Sequence, residues 1–78
     1  MNPEDVAYKT TKIALDMLTD TELNAVALQL TLFGKVSTNT SYFDRVKVVC
    51  SEEKDGSVHP ITKQIIMAEN ERRNFGNE

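Results

Sequence analysis

The sequence predicts an all-α fold, a small bundle of three or four short helices with the second helix at its centre. Two observations carry this expectation. The chain is punctuated as helices are, with Asn2-Pro3, Thr19-Asp20-Thr21-Glu22 and Gly34 each fitting a helix start or stop. The run from Thr19 to Gly34 is also apolar on two opposite sides. At ~100° per residue, Leu23, Val26, Ala27, Leu30 and Phe33 gather on one side and Ala25, Leu28 and Leu32 on the other. Asn24/Thr31 and Glu22/Gln29 are the only polar lines between them. Such a helix has to be covered twice, by its own chain or by a second copy or partner.

Helix 1 is expected from about Pro3 to Leu18. Asn2 supplies the cap, Pro3 the first helical position, and Glu4 and Asp5 the negative charge favoured at a helix N-terminus. Its inward stripe reads Val6, Thr10, Ile13, Ala14, Met17 and Leu18, with Ala7 and Leu15 at the margins. Helix 2 follows at once, because Thr19 and Glu22 stand at capping-box spacing. Gly34 fits the left-handed residue that closes it near Phe33. So short a link predicts a helical hairpin of the two.

Residues 35–41, Lys35-Val36-Ser37-Thr38-Asn39-Thr40-Ser41, form the longest expected loop, since hydroxyl side chains compete with backbone hydrogen bonds. Residues 42–54 admit two readings. As a helix capped by Ser41, with Asp44 in its first turn, they place Tyr42, Phe43, Val46, Val49 and Cys50 on one side. As a strand, Val46, Val48 and Cys50 alternate with Lys47 and Val49. A turn at Asp55-Gly56 would then make a short β-hairpin around 45–58 and an α+β fold. Cap and spacing together favour the helix. The last helix is expected from about His59 to Asn74, with Pro60 near its start and Ile61, Ile65 and Ala68 buried beside Ile66 and Met67. Glu69 lies within helical reach of Arg72 or Arg73, and Phe75-Gly76 marks the exit.

The 78 residues make a single domain, 1–78, near the size at which one core suffices without staples. With 40% hydrophobic residues and no Trp, that core is small and aliphatic. The lone cysteine, Cys50, offers neither an internal disulfide nor a thiolate metal site, which points to a reducing compartment. The start, Met-Asn-Pro-Glu-Asp, is unlike a secretory signal, and no apolar run reaches the roughly 18 residues of a membrane span. A cytoplasmic location is expected. The net charge of −3 resides in residues 1–34, where Glu4, Asp5, Asp16, Asp20 and Glu22 oppose Lys9 and Lys12. Binding nucleic acid by general phosphate neutralisation calls for the opposite sign.

Catalysis finds little support. His59, the sole imidazole, reads as a helix-start residue beside Pro60, and Cys50 as a small core residue. Neither an orienting acid nor a glycine-rich oxyanion turn accompanies them, and no phosphate loop or metal-ligand spacing is present. The expectation is a non-enzymatic protein without cofactor or metal. One binding role is that of a regulatory or adaptor protein acting by protein–protein contact as a homodimer. Ala25, Leu28, Leu32 and Phe75 would be its apolar contacts. Glu4, Asp5, Asp16, Asp20 and Glu22 would form an acidic surface able to occupy a basic groove and inhibit a larger enzyme sterically. Capping and solubility are the ordinary roles of those carboxylates. The other role is a helix-turn-helix-like DNA-binding regulator in which Lys35, Ser37, Asn39, Arg45 and Lys47 meet the nucleic acid. Against it, the connection is longer than the three or four residues of the compact motif, and Asp44, Glu52 and Glu53 stand among its contacts.

Overall fold

A computed structural model describes residues 3–50 and 56–76. Four helices follow in order: α1 (Pro3–Asp16), α2 (Asp20–Phe33), α3 (Phe43–Val46) and α4 (Pro60–Asn74), with a 3-10 turn at Lys47–Val49 continuing α3. The fold is all-α, and an isolated antiparallel bridge between Cys50 and Val58 is the sole β pairing among the described residues. The molecule measures 36 × 33 × 21 Å. Its thickness is about two helix diameters of ~10–12 Å, so each long helix keeps an outer face.

The boundaries of α2 follow directly from local chemistry. Thr19 has extended backbone, its hydroxyl accepts from the Glu22 N–H at 3.1 Å, and its own N–H donates to the Glu22 carboxylate at 3.0 Å. These reciprocal bonds satisfy two donors that a helix start leaves open. At the other end Gly34 adopts φ 76° and its N–H returns to the Leu30 carbonyl at 3.0 Å, a left-handed closure that favours glycine.

α1 ends at Asp16, two residues before its expected end, because Met17 and Leu18 turn back on Ala14 and Leu15 in tight i to i−3 hydrogen bonds of 3.1 and 3.0 Å. Its face also differs. Thr11, Ala14, Leu15 and Leu18 are buried, while Val6, Thr10, Ile13 and Met17 are exposed. Both sets have helical spacing, and the one that reaches α4 includes Leu15, placed at the margin by apolar pattern alone. α1 and α2 do not pack along each other as a hairpin; α4 lies against both. The expected Asn2 cap lies outside the described residues.

The segment after the hydroxyl loop combines the two readings. α3 lasts one turn, its N-cap is Tyr42 rather than Ser41 and makes no side-chain cap, and the chain tightens through the 3-10 turn before the bridge at Cys50. Val46 and Val49 are buried, with Tyr42, Phe43 and Cys50 packed partly against them. The expected face is thus buried on a shorter helix, and its continuation over 51–54 and the turn residue Asp55 lie outside the described residues. Gly56 is the second left-handed glycine, φ 92°. Its carbonyl accepts from the Val36 N–H at 2.8 Å, and a Cβ there would collide with the Val36 carbonyl oxygen. This close approach ties the loop, through buried Val36, to the start of α4.

α4 starts as expected, with His59 as N-cap and Pro60 in the first turn. Its buried residues, however, are Thr62, Ile66, Glu69 and Asn70, while Ile61 and Ala68 are exposed and Ile65 and Met67 half-buried. A hydrophobic reading places the face one residue away because three of these four buried residues are polar. The core joins Ile66 to Ala14, Leu15 and Leu18 of the α1 segment, Leu23, Val26, Ala27 and Leu30 of α2, and Val36, Val46 and Val49.

Candidate interaction surface

Polar contacts made by the inner face of α4 fix which sides of α1 and α2 remain outside. Glu69, 5% exposed, accepts from Lys12 Nζ of α1 at 2.6 Å and from Arg72 Nη2 at 2.6 Å. The Arg72 hydrogen bond, reinforced by Lys12 and opposed by desolvation, lowers its pKa to about 2. Asn70 Nδ2 donates to Asn24 Oδ1 of α2 at 3.2 Å, and Asn74 Nδ2 donates to Asn70 Oδ1 at 2.6 Å and to the Asp20 carbonyl at 3.1 Å.

Two arginines complete this arrangement at the joint between α1 and α2. α1 carries no basic residue in its last turn. Arg73 of α4 instead donates to the carbonyls of Leu15 (3.1 Å) and Leu18 (2.8 Å) and pairs with Asp20 at 2.6 Å. From the opposite segment, Arg45 donates to the Met17 carbonyl at 3.3 Å and pairs with Glu22 at 2.9 Å. Each guanidinium therefore meets the negative end of one helix and a carboxylate in the first turn of the next. Glu22 has a lowered pKa, chiefly from the Thr19 backbone hydrogen bond and then from Arg45.

Held in this way, α1 and α2 turn apolar stripes outward. On α2, Leu28 is 54% and Leu32 63% exposed, with Ala25 half-buried beside them. Phe33, expected on the inner side, is exposed at the end of the helix. On α1, Ile13 is 65% exposed and Val6 and Met17 accompany it. Each stripe repeats at intervals of four, three and four residues: Val6, Thr10, Ile13 and Met17 on α1, and Thr21, Ala25, Leu28 and Leu32 on α2. That spacing is the seam along which helices pack on helices. The α2 seam was legible from the sequence; the α1 seam was visible as a stripe but assigned to the interior.

The other expected site residues are placed as follows. Phe75 is 67% exposed at the C-cap of α4. Asp5, Asp16 and Asp20 are exposed and Glu22 is half-buried; Asp20 pairs with Arg73 and Glu22 with Arg45, which offsets part of the acidic surface the sequence offered. The Glu4 side chain lies outside the described set. Of the residues proposed to meet DNA, Arg45 is engaged at the joint and Lys47 pairs with Asp44 at 3.3 Å. The Ser37 N–H donates to Gln29 Oε1 at 2.8 Å, and its hydroxyl accepts from the Asn39 N–H at 3.3 Å; Lys35 and Asn39 are exposed. α3, at four residues, is about 6 Å long, too short to lie along a major groove as a recognition helix does. His59 is exposed and Cys50 half-buried, with its thiol directed to the Val46 carbonyl at 3.7 Å. Among the described residues no three His, Cys, Asp or Glu side chains converge as metal ligands, and no helix is long and apolar enough to cross a membrane. No protein-family model, curated protein or solved structure matches the chain.

Proposed function

We propose that this is a small non-enzymatic regulatory or adaptor protein that acts by binding other proteins, itself a homodimer, through the outward seams of α1 and α2. One observation carries the reading: Val6, Ile13 and Met17, and Leu28 and Leu32, stand in solvent at the spacing of helix-packing seams. Two seams on separate helices suit an adaptor, since one can hold a second copy while the other holds a target. Steric inhibition of a larger enzyme is one form of this role, with exposed Asp16 of α1 adding attraction to a basic groove. A cytoplasmic setting is consistent with the single cysteine, Cys50.

The test pairs substitution with capture. Leu28→Asp, Leu32→Asp and Ile13→Asp are each expected to keep the helical circular dichroism and melting temperature of the parent while losing oligomer or captured protein. Tagged parent protein would be incubated with native lysate with and without nuclease and again at high salt. Retention of a discrete protein under every condition supports the reading. Loss of folding in the Asp variants would assign these faces to the core and defeat it, and recovery of nuclease- and salt-sensitive material alone would favour DNA binding instead.

A further inference from the structure

The two outward seams differ in charge. That of α1 is bordered by Lys9 and Asp16, both exposed. On α2 the residues from Leu23 to Gly34 contain no charged side chain at all, in a chain whose net charge is −3. The two charges of the helix, Asp20 and Glu22, lie in its first turn and are drawn onto Arg73 and Arg45. A partner recognised by charge would find nothing to read along Ala25, Leu28 and Leu32. An uncharged apolar helix face matches this seam in both charge and spacing, and this chain carries one.

We propose that the α2 seam is occupied by the α2 seam of a second copy, the two helices running antiparallel about a twofold axis beside Leu28. The inference rests on reading the outer face of α2 as an interaction surface, and it adds the partner and the register. In this register Leu28 meets Leu28 of the other copy, and Ala25 of each helix faces Leu32 of the other. A small residue opposite a large one lets the two surfaces interdigitate. Direction is set by the helix dipoles: a parallel pair would align them, whereas the antiparallel pair opposes them and sets each first turn beside the other helix's last, ~21 Å away along its 14 residues. A seam of three side chains, Ala25, Leu28 and Leu32, is a small contact beside a stable interface of ~20–30 residues a side, so the pairing is expected to be weak and to dissociate on dilution.

Sedimentation of the intact protein from roughly 1 µM to 1 mM should show a reversible monomer–dimer equilibrium. Leu28→Asp should raise its midpoint concentration by about tenfold or more. Register is read by disulfide trapping in a Cys50→Ala background. Ala25→Cys mixed with Leu32→Cys should cross-link at least about tenfold faster than either variant alone, and Leu28→Cys should cross-link with itself, since a disulfide needs Cα atoms within ~7 Å. A parent that stays monomeric throughout overturns the pairing, and so does cross-linking of Ala25→Cys with itself, which marks a parallel register. Neither result removes the outer face as a surface for a different protein. Unfolding of Leu28→Asp, by contrast, would overturn the interaction reading and the pairing together.

Discussion

On the outer faces of α1 and α2, Val6, Ile13, Met17, Leu28 and Leu32 stand in solvent, whereas the inner face of α4 buries Thr62, Glu69 and Asn70 around Ile66. The polar face is tolerated inside because its members find partners: Glu69 on Lys12 and Arg72, Asn70 on Asn24 and Asn74. The apolar faces stay outside because a slab two helices thick has nothing left to cover them. Burial here is decided by which face can satisfy its neighbours, and hydropathy ranks second.

Substitutions along α4 and on the outer seams should separate these regions. Ile66→Ala, at the fully buried centre of the polar face, should cost about 2–5 kcal/mol in urea denaturation, enough to bring so small a domain close to unfolding. Next comes Arg73→Ala, which removes the guanidinium from the Leu18 carbonyl and Asp20 and leaves the Leu15 carbonyl to the Leu18 N–H; a loss of about 2–3 kcal/mol is expected. Arg73→Lys should recover little of it, because one ammonium cannot span the carbonyls and the carboxylate as the guanidinium does.

Glu69→Gln should cost on the order of 2 kcal/mol near neutral pH after allowance for solvent screening. Its folded pKa of about 2 lies below the usual 4.5, so the unfolded chain takes up the proton first on acidification. Glu69's contribution is therefore complete above about pH 4.5 and lost as the pH falls towards 2. Melting curves should show the parent losing this increment between those values and Glu69→Gln declining less; equal pH dependence of the two would refute the role given to the Lys12–Glu69–Arg72 cluster. Smallest of all, Leu28→Ser and Ile13→Ser in dilute protein should change stability by no more than about 0.5 kcal/mol. A loss comparable to that of Ile66→Ala would mean that the outer faces are core.

Local chemistry was the part of this fold most readable in the chain. Thr19 and Glu22 cap α2, Gly34 closes it, and Pro60 opens α4, each through atoms a few residues apart. The inner sides of α1 and α4 were not readable in that way. On α1 two stripes have the same spacing, and only the position of α4 chooses between them. On α4 the signal would have been a polar set, Thr62, Glu69, Asn70 and Arg73, recurring at helical intervals around Ile66, which a hydropathy pattern discounts. For the candidate site, Ala25, Leu28 and Leu32 were apparent from a helix with two apolar sides, while the pairing of Glu22 and Asp20 depended on arginines 23 and 53 residues away.

The clasp formed by Arg73 has a consequence for the order in which the chain is made. Its targets, Leu15, Leu18 and Asp20, are translated more than fifty residues earlier, a lead of several seconds at ~5–20 residues per second. During that interval the nascent α1 and α2 have neither Ile66 to close their apolar sides nor a guanidinium at their joint. Stable folding should therefore be held back until α4 has cleared the ribosome.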